Sequence, residues 1–95
     1  MLAEEKEPVL KHTYKVNIRK KVLKELEKFP NKDYLRVTSA ILDLEKDPRP
    51  HGSKKLQERE GYRIRSGDYR VIYVIDDAIK EVTIIKAGNR KDIYE

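Results

Sequence analysis

Ninety-five residues suffice for one domain with one modest core and exclude both a second domain and a large enclosed active-site cavity, so any chemistry has to sit on an open surface. Charged residues make up 41% of the chain against 38% hydrophobic, and the formal charge of +5 with a pI near 9.4 favours an anionic partner; nucleic acid leads a membrane surface because no basic helix has a bulky apolar face. Without cysteine there are no disulfides or thiolate metal sites, the two histidines His12 and His51 are too scattered for a zinc cluster, and no apolar run approaches a membrane span.

Residues 1–12 are polar and aperiodic and read as a flexible leader, with Glu4, Glu5 and Glu7 where a signal peptide would need apolar residues. A cytoplasmic protein is therefore expected. The domain proper is assigned to residues 13–95. Tyr14, Val16 and Ile18 alternate with Lys15 and Asn17, the period of a half-buried strand. From Arg19 the period turns helical, with Val22, Leu23, Leu26 and Phe29 in one stripe, and Pro30 ends that helix. A second helix is expected from about Lys32 to Lys46, burying Leu35, Val37, Ile41 and Leu44. The run from Asp47 to Gly52, with Pro48 and Pro50, is a stop and a loop.

Three β-rich runs follow, Tyr62 to Ser66, Tyr69 to Ile75 and Glu81 to Ala87, separated by Gly67-Asp68 and by Asp76-Asp77-Ala78. They read as an antiparallel meander. The order β-α-α-β-β-β predicts an α+β domain, an antiparallel sheet with two helices packed on one face and the opposite face open. Val71 and Tyr73 belong on the helix-covered face.

On a strand, residues two apart share a face, so Arg63 and Arg65 project together while Tyr62 and Ile64 go to the other side. Arg70 is the lone charge in Tyr69-Arg70-Val71-Ile72-Tyr73-Val74-Ile75, an apolar strand that belongs at the centre of the sheet. A guanidinium there needs either a buried carboxylate or an exposed anionic ligand. Arg63 and Arg65 also fit as solvated residues paired with Glu81 or Asp76, and high charge of both signs also fits a surface laced with ion pairs. His51, between Pro50 and Gly52, reads as an ordinary loop residue, and Tyr94 would by default be a packing residue.

The run from Asp47 to Leu56, the run from Gly61 to Tyr73 and the run Ala87-Gly88-Asn89-Arg90-Lys91-Asp92-Ile93-Tyr94 resemble the RelE/ParE toxin superfamily, over roughly residues 13 to 95 and at its usual spacings. The resemblance implies the toxin of a type II toxin–antitoxin pair. RelE-type members cut messenger RNA in the ribosomal decoding site, whereas ParE-type members share the scaffold, poison DNA gyrase and generally lack the full set of arginines and tyrosine. The family's functional residues fall on Arg63, Arg65, Arg70, Arg90 and Tyr94. Their complete presence points to the ribonuclease, with a gyrase-binding toxin or a catalytically weakened homologue as alternatives.

RNA carries its own nucleophile, so this chemistry needs no metal and no small-molecule cofactor. Arg70 and Arg90 are assigned to the phosphorane, Arg63 and Arg65 to adjacent phosphates, and Tyr94 to base stacking or exchange of the 2′-hydroxyl proton. Lys54, Lys55, Lys86 and Lys91 would add phosphate or ribosomal RNA contacts. Some family members carry lysine at the positions of Arg63 and Arg65, and many carry histidine or lysine at Asn89, so the general base is unassigned. The implied partners are the ribosome, its message and an antitoxin that neutralises the basic face and wraps an amphipathic segment over exposed apolar surface.

Overall fold

A computed structural model describes residues 13–89 together with Lys91; the leader, Arg90 and Tyr94 lie outside the described residues. Strand β1 (Lys15–Ile18) turns Val16 and Ile18 toward the helices. Helix α1 (Lys20–Glu27) buries Val22 and Leu26, four residues apart, and Phe29 packs just beyond its end. Leu23, expected in the same stripe, is exposed, because one residue past Val22 the side chain has swung by about 100°.

Helix α2 (Asn31–Asp43) follows Pro30 and buries Val37 and Ile41, with Leu44 sealed one residue past its end. Leu35 was expected in that set but is 59% exposed. It precedes Val37 by two residues, about 200° around the helix, so it faces away from the sheet. The regular helix also stops short of Lys46: Leu44, Glu45 and Lys46 donate their N–H groups to the carbonyls three residues earlier, which tightens the last turn.

The sheet adds β2 (Lys54–Lys55), β3 (Tyr62–Ser66), β4 (Tyr69–Asp76) and β5 (Glu81–Asn89), in the spatial order β1-β5-β4-β3-β2. The expected meander β3-β4-β5 is antiparallel, and the apolar strand β4 is central. Strand β1 joins β5 in parallel, which makes the sheet mixed; periodicity reports a strand's faces, not its neighbour. Lys54 and Lys55, read as loop, form a short edge strand on β3.

The register slips once, between Ile72 and Tyr73: Ile72 faces Lys86 but Tyr73 faces Ile84, so Ile85 is an extra residue in a β-bulge. Its consequence is chemical. Val82 and Ile84 point into the core, and unbroken alternation would carry Lys86 there too; the bulge puts Ala87 inside instead and Lys86 on the other face.

Val71, Tyr73, Val82 and Ile84 are fully buried under the helices, as the alternation of β4 requires. The second face is not wholly open, contrary to the expectation from sequence. Ile72 belongs to it and is nonetheless fully buried, because Leu56 packs on it. The segment from Leu56 to Gly61 folds back over the sheet, closed by the Leu56 N–H donating to the Gly61 carbonyl at 2.9 Å. Gly61 has φ of +135°, and a Cβ there would meet the Tyr73 carbonyl oxygen at 3.0 Å and Leu56 at 3.3 Å, so only glycine fits comfortably. Among the described residues no helix is long and apolar enough to cross a membrane.

Candidate nucleic-acid interface

Residues directly opposite one another on paired strands share a face, so the register defines two rows of side chains across the second face. One row runs Lys54, Arg63, Ile72, Lys86. The next runs Arg65, Arg70, Gly88. Arg65 and Arg70 are therefore like charges set directly against each other, an arrangement that costs roughly 0.2–1 kcal/mol unless an anion shares them. Arg65 is exposed, while Arg70 is half-buried with its Nε sealed from solvent. Gly88 leaves space beside Arg70.

The carboxylates proposed as structural partners for these arginines are engaged elsewhere. Asp76 faces Glu81 at the far end of the sheet. Asp76 accepts the N–H groups of Ala78 at 3.0 Å and Ile79 at 3.3 Å, and Glu81 accepts from the Asn17 amide. With Glu60 and Asp77 they line an acidic hollow. The face is thus polarised along its strands, basic toward the β3–β4 turn and acidic toward the β4–β5 turn.

Lys54, Lys55 and Arg63 rim a shallow hollow of about 270 Å³ at the β2 edge, although by register Lys55 alternates to the side of Tyr62. Lys86 joins the basic face through the bulge. Lys91 is exposed, its N–H donating to Asn89 Oδ1 at 3.0 Å.

Two residues escaped the sequence reading. Arg36 of α2 lies against the β3–β4 turn: a Cβ on Gly67, whose φ is +63°, would sit 2.7 Å from Arg36 Nη1. The glycine of a two-residue turn was the available signal, but only the fold shows which cation crosses it. The other is Arg49, which donates from Nε to the Tyr62 hydroxyl at 3.1 Å and from Nη1 and Nη2 to Asp77 at 3.3 and 2.9 Å. The Tyr14 hydroxyl donates to the same carboxylate at 2.7 Å. These bonds, with that from the Tyr73 hydroxyl to the Pro48 carbonyl at 2.7 Å, pin the loop that leads into β2 and so place Lys54 beside Arg63. Hydrogen bonds from Arg49, then Tyr14, hold the Asp77 carboxyl below its ordinary value. Burial pushes the Tyr73 phenol up to about 12.

On the opposite edge, β5 runs on past the end of β1, and Val22, Phe29, Tyr69, Ile85 and Ala87 floor a groove of about 430 Å³ rimmed by Lys21, Lys28 and Lys86. Among the described residues no group of three or more His, Asp or Glu is placed to hold a metal ion.

Residues 16–94 match the family model described as the ParE toxin of the type II toxin–antitoxin system parDE. Toxin RelG of Mycobacterium tuberculosis is 32% identical over 83 residues, which cover 85% of this chain and 95% of that protein. The putative toxin RelE1 of Methanocaldococcus jannaschii is 32% identical over 88 residues, covering 86% and 96%. In three dimensions the chain resembles the crystal structure of the archaeal RelE–RelB complex from Pyrococcus horikoshii, with a TM-score of 0.75, 36% identity, and 85% of this chain and 99% of that one covered.

Proposed function

The chain belongs to the RelE/ParE family of type II toxin–antitoxin toxins, and from that premise we propose that it is a ribosome-dependent endoribonuclease that cleaves messenger RNA by attack of a 2′-hydroxyl on the adjacent phosphate. The observation that carries the reading is the opposed pair Arg65 and Arg70 beside Gly88. Two permanently charged forks facing each other on a central part of the sheet suit a phosphodiester held between them, whose charge grows as the phosphorane forms. Arg63, Lys54 and Lys86 in the neighbouring row suit the flanking phosphates, with Lys55 at the edge and Lys91 near the end of β5 as outer contacts. The acidic far end would repel the same backbone, which favours a strand of RNA crossing the basic half. Arg90 and Tyr94 take their roles, at the phosphorane and at the base or 2′-proton, from the family resemblance.

Shape supports the same class of substrate. The candidate site is a flat, basic face, better suited to a polymer positioned by another body than to a small molecule enclosed by this one. Alignment of the message by the ribosome supplies what a small open site lacks. The complex from Pyrococcus horikoshii pairs a RelE with a RelB, which supports an antitoxin partner here. The lysine-rimmed apolar groove beside β5 suits an acidic amphipathic segment of such a partner.

Cell-free translation with primer extension on the message tests the reading: cuts within codons that require ribosomes support it. The matching family model carries the ParE description, which favours gyrase inhibition as the second reading. Intact message together with loss of gyrase supercoiling activity would select that one.

A further inference from the structure

Four arginines leave the proposed reaction without an acid–base group, because a guanidinium stays protonated at any working pH. The fold brings one candidate to the end of the Arg65–Arg70 row. Strand β2 pairs with β3 only at Tyr62 and Arg63, so the edge of β3 at Ile64 and Arg65 has no strand beside it. The chain leading into β2 passes along that edge instead. His51 and Arg65 line a single cleft of about 300 Å³ there, closed on the other side by Ala40 and Asp43 of α2. Read across the sheet, the sequence of groups is His51, Arg65, Arg70, Gly88.

We propose that His51, at the open edge of β3 beside the Arg65–Arg70 pair, is the general base of RNA cleavage. The inference rests on the ribonuclease reading above. A backbone crossing the sheet along this row, with its scissile phosphate on the two arginines, sets a flanking ribose toward the edge where the imidazole stands. The unprotonated ring nitrogen takes the proton of the 2′-hydroxyl as that oxygen bonds to phosphorus. The bond from phosphorus to the 5′-oxygen breaks with its electron pair on oxygen, which takes a proton from water; the imidazolium then returns its proton to the hydroxide left behind. The products are a 2′,3′-cyclic phosphate and a 5′-hydroxyl.

The charged groups facing the cleft are Asp43 from α2 and Arg65 from β3, with Arg70 next in the row. The carboxylate favours the imidazolium. The arginines oppose it and outnumber the acid, which keeps the neutral base available near neutrality. Imidazole is the side chain that ordinarily changes charge between pH 5 and 8, so the reaction should carry that signature.

The test uses the full chain on ribosomes programmed with a synthetic message, read by single-turnover cleavage. The wild-type rate should rise from pH 5 to 8. His51→Gln should lower it by about 10²-fold or more and flatten the profile, with unchanged thermal stability and RNA binding. His51→Ala should regain part of its rate with added imidazole, which a purely structural histidine would not do. On a message with sulfur in place of the scissile 5′-oxygen, whose departure needs no acid, His51→Gln should stay slow. Recovery on that substrate would make His51 the acid and overturn the assignment, as would an unchanged rate or pH profile in His51→Gln. Failure of the parent reading is separable: a wild-type protein that leaves the message intact, or cuts one lacking the 2′-hydroxyl, removes the ribonuclease and this inference with it.

Discussion

Arg49 grips Asp77 through both terminal nitrogens, tying the loop after α2 to the turn between β4 and β5. Both side chains are largely exposed, so the pair's strength comes from geometry and from the Tyr14 hydroxyl on the same carboxylate. Asp77 is held below its ordinary 3.8, which means that its stabilisation is present above that pH and is lost as pH falls through the lower, folded value. Asp77→Asn should therefore melt below the wild type at neutral pH, and the gap should close in acid. Melting curves from pH 2 to 7 check this; a gap that persists unchanged at the acid end would mean that the pair contributes nothing through charge.

Tyr73 ties the fold at the other extreme of pH. Its ring is fully buried and its hydroxyl donates to the Pro48 carbonyl, so ionisation removes the donor and leaves a charge inside. The folded value near 12 lies above the ordinary 10.0, so the stabilisation is complete below pH 10 and is lost as pH rises toward 12. A loss of about 2–3 kcal/mol is expected across that window. Tyr73→Phe should cost about 1–3 kcal/mol at neutral pH by leaving the carbonyl without its donor, and should blunt the alkaline loss. Denaturant titrations at pH 8, 10 and 12 decide it.

Val71 and Leu35 separate what periodicity could and could not place. On β4 the alternation has one reading, and Val71 is fully buried where it was expected. On α2 several apolar residues, including Leu35, Val37, Ile41, Leu42 and Leu44, compete for one stripe, and which of them win depends on how the helix is rolled against the sheet, a tertiary quantity. Val71→Ala should cost about 2 kcal/mol through a cavity, while Leu35→Ala should stay within about 0.5 kcal/mol. Equal losses in urea melts would refute the assignment of faces.

The candidate site was legible to the same degree and for the same reason. Period two put Arg63 and Arg65 on one side, and the isolation of Arg70 in an apolar strand marked it as needing an anion. Pairing register is long-range information, so nothing in the sequence set Arg65 against Arg70 or brought His51 to the edge beside them. The bulge at Ile85 was similarly hidden: the doublet Ile84-Ile85 breaks the alternation, yet only the register shows that Lys86 emerges on the basic face as a result.

Arg70 should separate stability from activity. Its strand is the centre of the sheet, and Val71, Ile72 and Tyr73 after it are all fully buried, so the backbone that carries it is held from both sides. The guanidinium itself lies on the second face, directly across from Arg65 and beside Gly88. Removing it relieves a like-charge opposition, and Arg70→Ala should melt within a few degrees of the wild type. Cleavage should fall by about 10²-fold or more, since a charge contact that strengthens in the transition state is lost. Arg70→Lys should recover only part, because a point charge cannot reproduce a two-pronged contact with phosphate. The alternative, an arginine that serves the fold through a carboxylate, gives the opposite pattern: a loss of roughly 3–5 kcal/mol on truncation. Thermal melts of both variants beside ribosome-dependent cleavage distinguish the two, and a folded Arg70→Ala that cuts at the wild-type rate would remove Arg70 from the proposed site.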